Sequence, residues 1–194
     1  MQDPASKKSA FREYVESFAV AILLALFVRT FFLQAFKIPT GSMRPTLMEG
    51  DRILVNKVIY GIPLPFTSLR LPALRQPSRG EVVVFQSLEE GHRDFIKRLT
   101  GLGGDELEIR DLRLWINGRP LTDPPVFRDL VYYNRGTYGQ AGKSVKVPKG
   151  NYFFLGDNSG SSRDSRYWGF LPQRNVIGQA FLIYWPPRRI RLLK

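Results

Sequence analysis

Residues 18–28 read Phe-Ala-Val-Ala-Ile-Leu-Leu-Ala-Leu-Phe-Val, eleven apolar residues without a break and the greasiest stretch of a 194-residue chain. Continued to Phe36 across Arg29, Thr30 and Gln34, the segment is 19 residues. As a helix rising about 1.5 Å per residue it nearly spans the ~30 Å hydrocarbon layer of a bilayer. A membrane anchor, a buried core helix and a cleavable signal peptide all begin this way. The anchor fits best: Arg29 lies near one end, where its long stem reaches the interface, and Leu33-Gln34-Ala35-Phe36 offers no clear cleavage site between small residues. The expected organisation is a cytoplasmic N-terminal tail over 1–17, a transmembrane anchor over 18–36 and an extracytoplasmic domain over 37–194. Lys7, Lys8 and Arg12 before the span, against Lys37 and Arg44 after it, lean toward an inside N-terminus.

From Lys37 onward the pattern changes to short runs of Val, Ile, Phe and Tyr cut by Gly and Pro, as in antiparallel β proteins. The runs 52–57, 81–86, 94–100, 107–109, 112–116, 152–155 and 176–185 read as strands. Asn117-Gly118 supplies the dipeptide of a type I′ hairpin turn. Between about 103 and 150 the chain is rich in hairpin and loop residues and reads as a small β subdomain inserted into a larger sheet. The expected fold is therefore mainly β: an antiparallel, barrel-like sheet domain with a small inserted β subdomain and one N-terminal transmembrane helix.

Composition removes much chemistry. With no cysteine, disulfides, thiolate zinc, iron–sulfur clusters and a cysteine nucleophile are impossible. His92 is the only histidine and sits in the polar run 89–94, so multi-histidine metal sites are excluded and a Ser/His/Asp triad depends on one unpromising residue. No metal and no cofactor is expected. The net charge of +12, from 20 Arg and 9 Lys against 17 acids, suits an anionic partner such as a phospholipid surface, or simple solubility. Nucleic acid is not expected as a partner, because no zinc finger, RNP-type aromatic motif or long basic run is present.

Three segments carry possible chemistry. In residues 38–47, Gly41-Ser42 lies between Pro39 and Pro45, which restrict the backbone on both sides. A rigid turn there can point main-chain N–H groups at a bound oxygen, with the Thr40 hydroxyl beside them; an ordinary loop has the same composition. A serine nucleophile without a histidine needs another base, and lysine serves in Ser/Lys pairs. To hold a useful neutral fraction near pH 8, the amine must be shifted roughly two units from about 10.4 by burial. Lys97 lies in 94–100, where strand alternation puts Phe95, Lys97 and Leu99 on one face and sends Arg98 to the other, in need of an acidic partner. On the strand pattern alone, a snorkelling surface lysine is the more ordinary reading. The third segment, 156–169, is a dense polar loop. Its small hydroxyls can orient an amine, and Asp157, Asp164 and Arg166 can form ion pairs.

Taken together, the apolar segment, Gly41-Ser42-Met43-Arg44-Pro45-Thr46-Leu47, residues 50–57, Phe95-Ile96-Lys97-Arg98-Leu99-Thr100-Gly101 with Gly104-Asp105, and Gly156-Asp157-Asn158 through Asp164-Ser165-Arg166-Tyr167-Trp168-Gly169 resemble the bacterial type I signal peptidases in type and order. The resemblance runs over almost the whole chain. It implies a membrane-bound Ser/Lys endopeptidase that removes signal peptides from exported preproteins, with small residues preferred at the first and third positions before the cut. It further implies Ser42 as nucleophile, Lys97 as general base, the Ser42 amide and Thr40 hydroxyl as oxyanion donors, Ser162 bonded to Lys97, Asp157 paired with Arg98, and Asp164 with Arg166. One departure is Ser159-Gly160, where relatives often carry Arg-Asp. Rival readings are a related Ser/Lys enzyme, such as a self-cleaving repressor or a maturation peptidase, and a non-catalytic, basic, membrane-tethered β module.

Overall fold

The computed structural model describes residues 10–61, 72–88, 91 and 93–193; His92, Lys7 and Lys8 lie outside them. Chain order begins with helix α1 (Ala10–Phe31) and strands β1 (Leu33–Lys37), β2 (Arg52–Asn56), β3 (Val82–Gln86) and β4 (Asp94–Gly101). It continues through β5 (Glu106–Arg110), β6 (Arg113–Ile116), β7 (Arg119–Pro120), β8 (Val145–Lys146) and β9 (Asn151–Leu155). Helix α2 (Ser165–Trp168) and strands β10 (Leu171–Pro172), β11 (Val176–Trp185) and β12 (Arg191–Leu192) complete it.

The protein is mainly β. Eight strands form an antiparallel half-barrel sheet in the order β1-β2-β11-β3-β4-β9-β10, with β12 on β11, and four form a second sheet, β7-β6-β5-β8. Alternation explains how both faces of the large sheet are used. Val82 and Val84 pack with Met43, Leu47, Ile53 and Val55 in one core, whereas Val83 and Phe85 pack with Leu99, Tyr152 and Phe154 in another. On β9, Phe153 and Leu155 turn to the third core beneath the second sheet. The large sheet's middle strands are thus buried on both sides, and β4 lies hydrogen-bonded between β3 and β9.

Two expectations need correction. The apolar segment does not run as one helix to Phe36: α1 ends at Phe31, and Leu33–Lys37 is β1, paired residue for residue with β2. Strand hydrogen bonds to 52–56 win there, because Leu33-Gln34-Ala35-Phe36 serves a β ladder as readily as a helix. Among the described residues no helix is long and apolar enough to cross a membrane. The longest run without a charge in α1 is the twelve residues between Glu16 and Arg29, about 18 Å of helix. Its large side chains nonetheless face outward: Phe18, Val20, Leu23, Leu24 and Leu26 are all more than half exposed. The second correction is local. Leu112, expected in a strand, occupies a left-handed turn with Asp111, at φ 60° and 49°. That pair closes the β5–β6 hairpin, whose ladder ends at Arg110↔Arg113. The next hairpin turns on Asn117-Gly118, with φ 51° and 76° between the partners Ile116 and Arg119.

Candidate active site

Ser42 sits at the centre of the 3₁₀ turn Gly41–Met43, which links β1 to β2. The turn is pinned from below because Met43 and Leu47 are fully buried in the core against Val82 and Val84. It is pinned from the side by Asn158, whose amide donates to the Ser42 carbonyl at 3.0 Å and whose Nδ2 donates to the Gly41 carbonyl at 3.0 Å. Lys97 comes from the middle of β4, where the ladder to Val83 fixes its backbone. The two side chains meet: Lys97 Nζ lies 2.7 Å from Ser42 Oγ, 55 residues apart in sequence. Nζ also donates to the Ile96 carbonyl at 3.1 Å and lies 5.7 Å from the centre of the Phe95 ring.

Burial decides the protonation of this amine. Lys97 is 6% exposed, and desolvation pulls its pKa down from 10.5 to about 8, against the opposing pull of the carboxylates of Asp164 and Asp157. Below that value the ammonium donates to Ser42 Oγ; above it the hydroxyl can donate to the nitrogen lone pair. The pair opens onto a cleft of about 420 Å³ lined by Pro39, Thr40, Arg93, Asp94, Phe95, Ile96, Ser161 and Arg163. Thr40 stands exposed on its rim and makes no capping bond to the turn.

Behind the pair lie two buried ion pairs. Arg98 donates through Nε and Nη2 to the two Asp157 oxygens at 2.8 and 2.6 Å, and through Nη1 to the Gly80 carbonyl. Thr46 Oγ1 donates to the same carboxylate. Arg166 holds Asp164 in a two-pronged contact at 2.8 Å on each arm, while Asp164 also accepts the Gly156 amide and caps α2. Such forked pairs fix orientation as well as charge. Both carboxylates are therefore committed elsewhere and act on Lys97 only as distant charges.

Ser162 departs from what the resemblance implied. Its Oγ is buried without a hydrogen-bond partner among the described residues, and Lys97 gives its bonds to Ser42 and Ile96 instead. The hydroxyl packs over Gly156, where an added Cβ would come within 2.2 Å of Ser162 Oγ and 2.5 Å of the Ser42 carbonyl. Gly156→Ala is accordingly expected to displace the Ser42 turn and lower kcat by about 100-fold, as an ångström of misplacement does at a reacting centre. A kcat within threefold of wild type would contradict this.

Asn158, Thr46 and Gly156 lie inside the quoted motifs but were assigned no role from sequence, and Ser159 was noted only as a departure. Ser159 has a specific role: its Oγ accepts from Arg166 Nη1 at 2.6 Å and from the Tyr133 amide at 2.8 Å, so a small hydroxyl completes the guanidinium's shell. The position invited attention because it broke the motif, but its partners come from residues 7 and 26 positions away.

A buried Ser–Lys contact on a turn-and-strand frame invites comparison with known proteins. The family model for signal peptidases, peptidase S26, matches residues 11–185. The chain belongs to the signal peptidase family. It is similar to signal peptidase I of Pseudomonas aeruginosa, 34% identical over 215 residues, covering 93% of this chain and 75% of that protein. It is also similar to a probable signal peptidase I of Synechocystis, 36% identical over 191 residues, covering 96% and 78%. A solved signal peptidase I from Enterococcus faecalis is 34% identical, with a TM-score of 0.43, covering 54% of this chain and 97% of that one. Membership makes the chain a serine endopeptidase that removes signal peptides from exported preproteins, and it implies association with a membrane.

Proposed function

We propose that Ser42 is the nucleophile and Lys97 its general base. One observation carries this reading: a buried amine, with its proton affinity lowered to about 8, lies 2.7 Å from a serine hydroxyl at the mouth of a cleft. Neutral Lys97 takes the Ser42 proton as Oγ attacks the scissile carbonyl. The resulting ammonium returns that proton to the leaving amine, and the regenerated base then activates the water that hydrolyses the acyl-enzyme. Charge developing on the carbonyl oxygen is met by the Ser42 amide and the Thr40 hydroxyl, which capping leaves unengaged. The ion pairs Arg98–Asp157 and Arg166–Asp164 hold the loop that carries Asn158 and Ser162, and so the turn that carries Ser42. Ser162, buried beside Gly156 and close to the Ser42 carbonyl, supports the Ser42 turn.

The substrate lies extended along the cleft beside β4, its small first and third side chains before the cut entering shallow apolar pockets near Phe95 and Ile96. Helix α1 is the membrane element, a single pass with the N-terminus cytoplasmic and the sheet domain outside. Its exposed apolar side chains support this; the stem of Arg29 reaches toward the headgroups and local thinning accommodates the short uncharged stretch. In a membrane fraction the chain should resist alkaline carbonate extraction; release into the supernatant would contradict the anchoring.

Cleavage of a purified preprotein in detergent by wild type and Lys97→Ala tests the mechanism. Wild type is expected to cut at the signal-peptide junction and Lys97→Ala to lose that activity; equal activity would remove Lys97 from the reaction. His92→Ala is expected to stay within about twofold of wild-type kcat/KM, and a loss of a hundredfold would restore a histidine base.

A further inference from the structure

A groove of about 1100 Å³ separates the C-terminal half of α1 from the edge of the large sheet, and the proposed chemistry leaves it unused. On the helix side it is lined by Ala21, Leu24, Ala25 and Val28, spaced three and four apart and so on one face. The two alanines, one turn apart, hollow that face between the larger side chains. Leu33, Ala35 and Leu54 line the opposite wall. β1 is the edge strand of its sheet, and Gln34 and Ala35, which point to opposite faces, both border the groove, so it wraps around a strand edge. Arg29 and Lys57 are the charged residues among its described lining, each on a long apolar stem. Two observations tie the groove to the catalytic cleft. β1 leads into the Ser42 turn, with Ala35 seven residues before Ser42, at most about 25 Å of chain. Lys57, on the groove, also stands close enough to Asp94, on the cleft, for its charge to act on that carboxylate.

We propose that this groove receives the apolar run of a signal peptide, so that a precursor is held in two places: its small residues in the cleft and its apolar run between α1 and β1. This rests on the peptidase reading above. A signal peptide carries about 7–15 apolar residues ahead of the small residues at its cut. Seven of them as a helix are about 10 Å long and 10 Å across, on the order of 800 Å³, and the groove has room for them. A peptide leaving the cleft antiparallel to 38–42 arrives beside Ala35 about seven residues before the cut, where the small residues have given way to the apolar run. There its side chains bury against Leu24, Val28, Leu33 and Leu54. An uncharged run loses nothing to Arg29 and Lys57, whereas a lysine within it meets like charge.

Two substrates separate the groove from the cleft: a complete preprotein, and a short peptide that spans the cut but lacks the apolar run. Both are cleaved in detergent by the full chain as wild type, Ala25→Trp, Ala35→Trp and Val20→Trp. The ratio of kcat/KM for preprotein over peptide is read within each enzyme, so that a variant's folding cancels. Tryptophan at 25 or 35 fills the groove, and the ratio is expected to fall about tenfold, through KM, the scale of one apolar side chain's burial. Val20→Trp adds the same bulk to α1 outside the groove and is expected to keep the wild-type ratio. In wild type, a photoreactive side chain in the preprotein's apolar run is expected to crosslink to 21–28 or 33–35. Ratios within twofold of wild type in both groove variants, as when detergent or lipid alone fills the groove, overturn the proposal and leave the peptidase reading intact. An equal fall in Val20→Trp, or crosslinks only elsewhere, does the same. Failure of wild type to cleave either substrate overturns both.

Discussion

Ser42→Ala is expected to abolish preprotein cleavage, lowering kcat by about 10⁴-fold or more, with the fold unchanged. The hydroxyl contributes little to stability: its partner in the structure is Lys97, and the turn is held by Met43, Leu47 and the two bonds from Asn158, none of which involves Oγ. The loss should therefore appear in kcat, with melting temperature and precursor binding close to wild type. Cleavage at the same junction by Ser42→Ala, at more than one per cent of the wild-type rate, would exclude Ser42 as the nucleophile.

Lys97→Met should be the other extreme variant, because it removes activity while adding stability. In the folded protein the amine titrates at about 8 rather than 10.5, chiefly through desolvation. A pKa depressed on folding means that the unfolded chain binds more protons between those two values, so stability rises with pH across that window. The contribution from Lys97 is complete above about 10.5 and lost as pH falls through 8. At pH 7 the buried cation consequently destabilises the fold by on the order of 3 kcal/mol. Methionine keeps the length of the side chain and removes the charge. The variant is expected to unfold at higher denaturant concentration than wild type at pH 6.5, with the difference shrinking as pH approaches 10.5, and to cleave no preprotein. Equal stability at pH 6.5 would mean that the amine is solvated well enough to stay charged at little expense, and it would then be a poor base.

The longer strands were legible in the sequence because apolar runs of four to ten residues between Gly and Pro admit few other structures; those at 82–86, 94–101 and 176–185 fall close to their expected places. β1 was not legible, since Leu33-Gln34-Ala35-Phe36 continues an apolar helix as well as it enters a sheet, and only pairing with 52–56 decides. The two-residue strands β7, β8, β10 and β12 exist through their partners alone and carry no pattern of their own. Leu112 shows the same limit at one residue: hairpin closure places a leucine at positive φ where turn rules look for Asn or Gly.

At the site, alternation along β4 separated Lys97 from Arg98 and called for an acid beside Arg98. That the acid is Asp157, 59 residues on, follows from the β4–β9 pairing, to which periodicity is blind. The roles of Thr46 and Asn158 escaped notice for a related reason. Each bonds across more than 100 residues of chain, Thr46 to Asp157 and Asn158 to Gly41, and neither residue type is distinctive in a loop.

The protonation of one amine bears most directly on this account. Titration of lysine side chains labelled at Cε, followed by NMR with the Lys97 signal assigned from Lys97→Met, gives its pKa in the folded protein. A midpoint near 8, matched by a rise of kcat/KM through the same pH, is the predicted result. A Lys97 signal that remains that of an ammonium to pH 10 or beyond, while the protein is folded and active at pH 8, would contradict it.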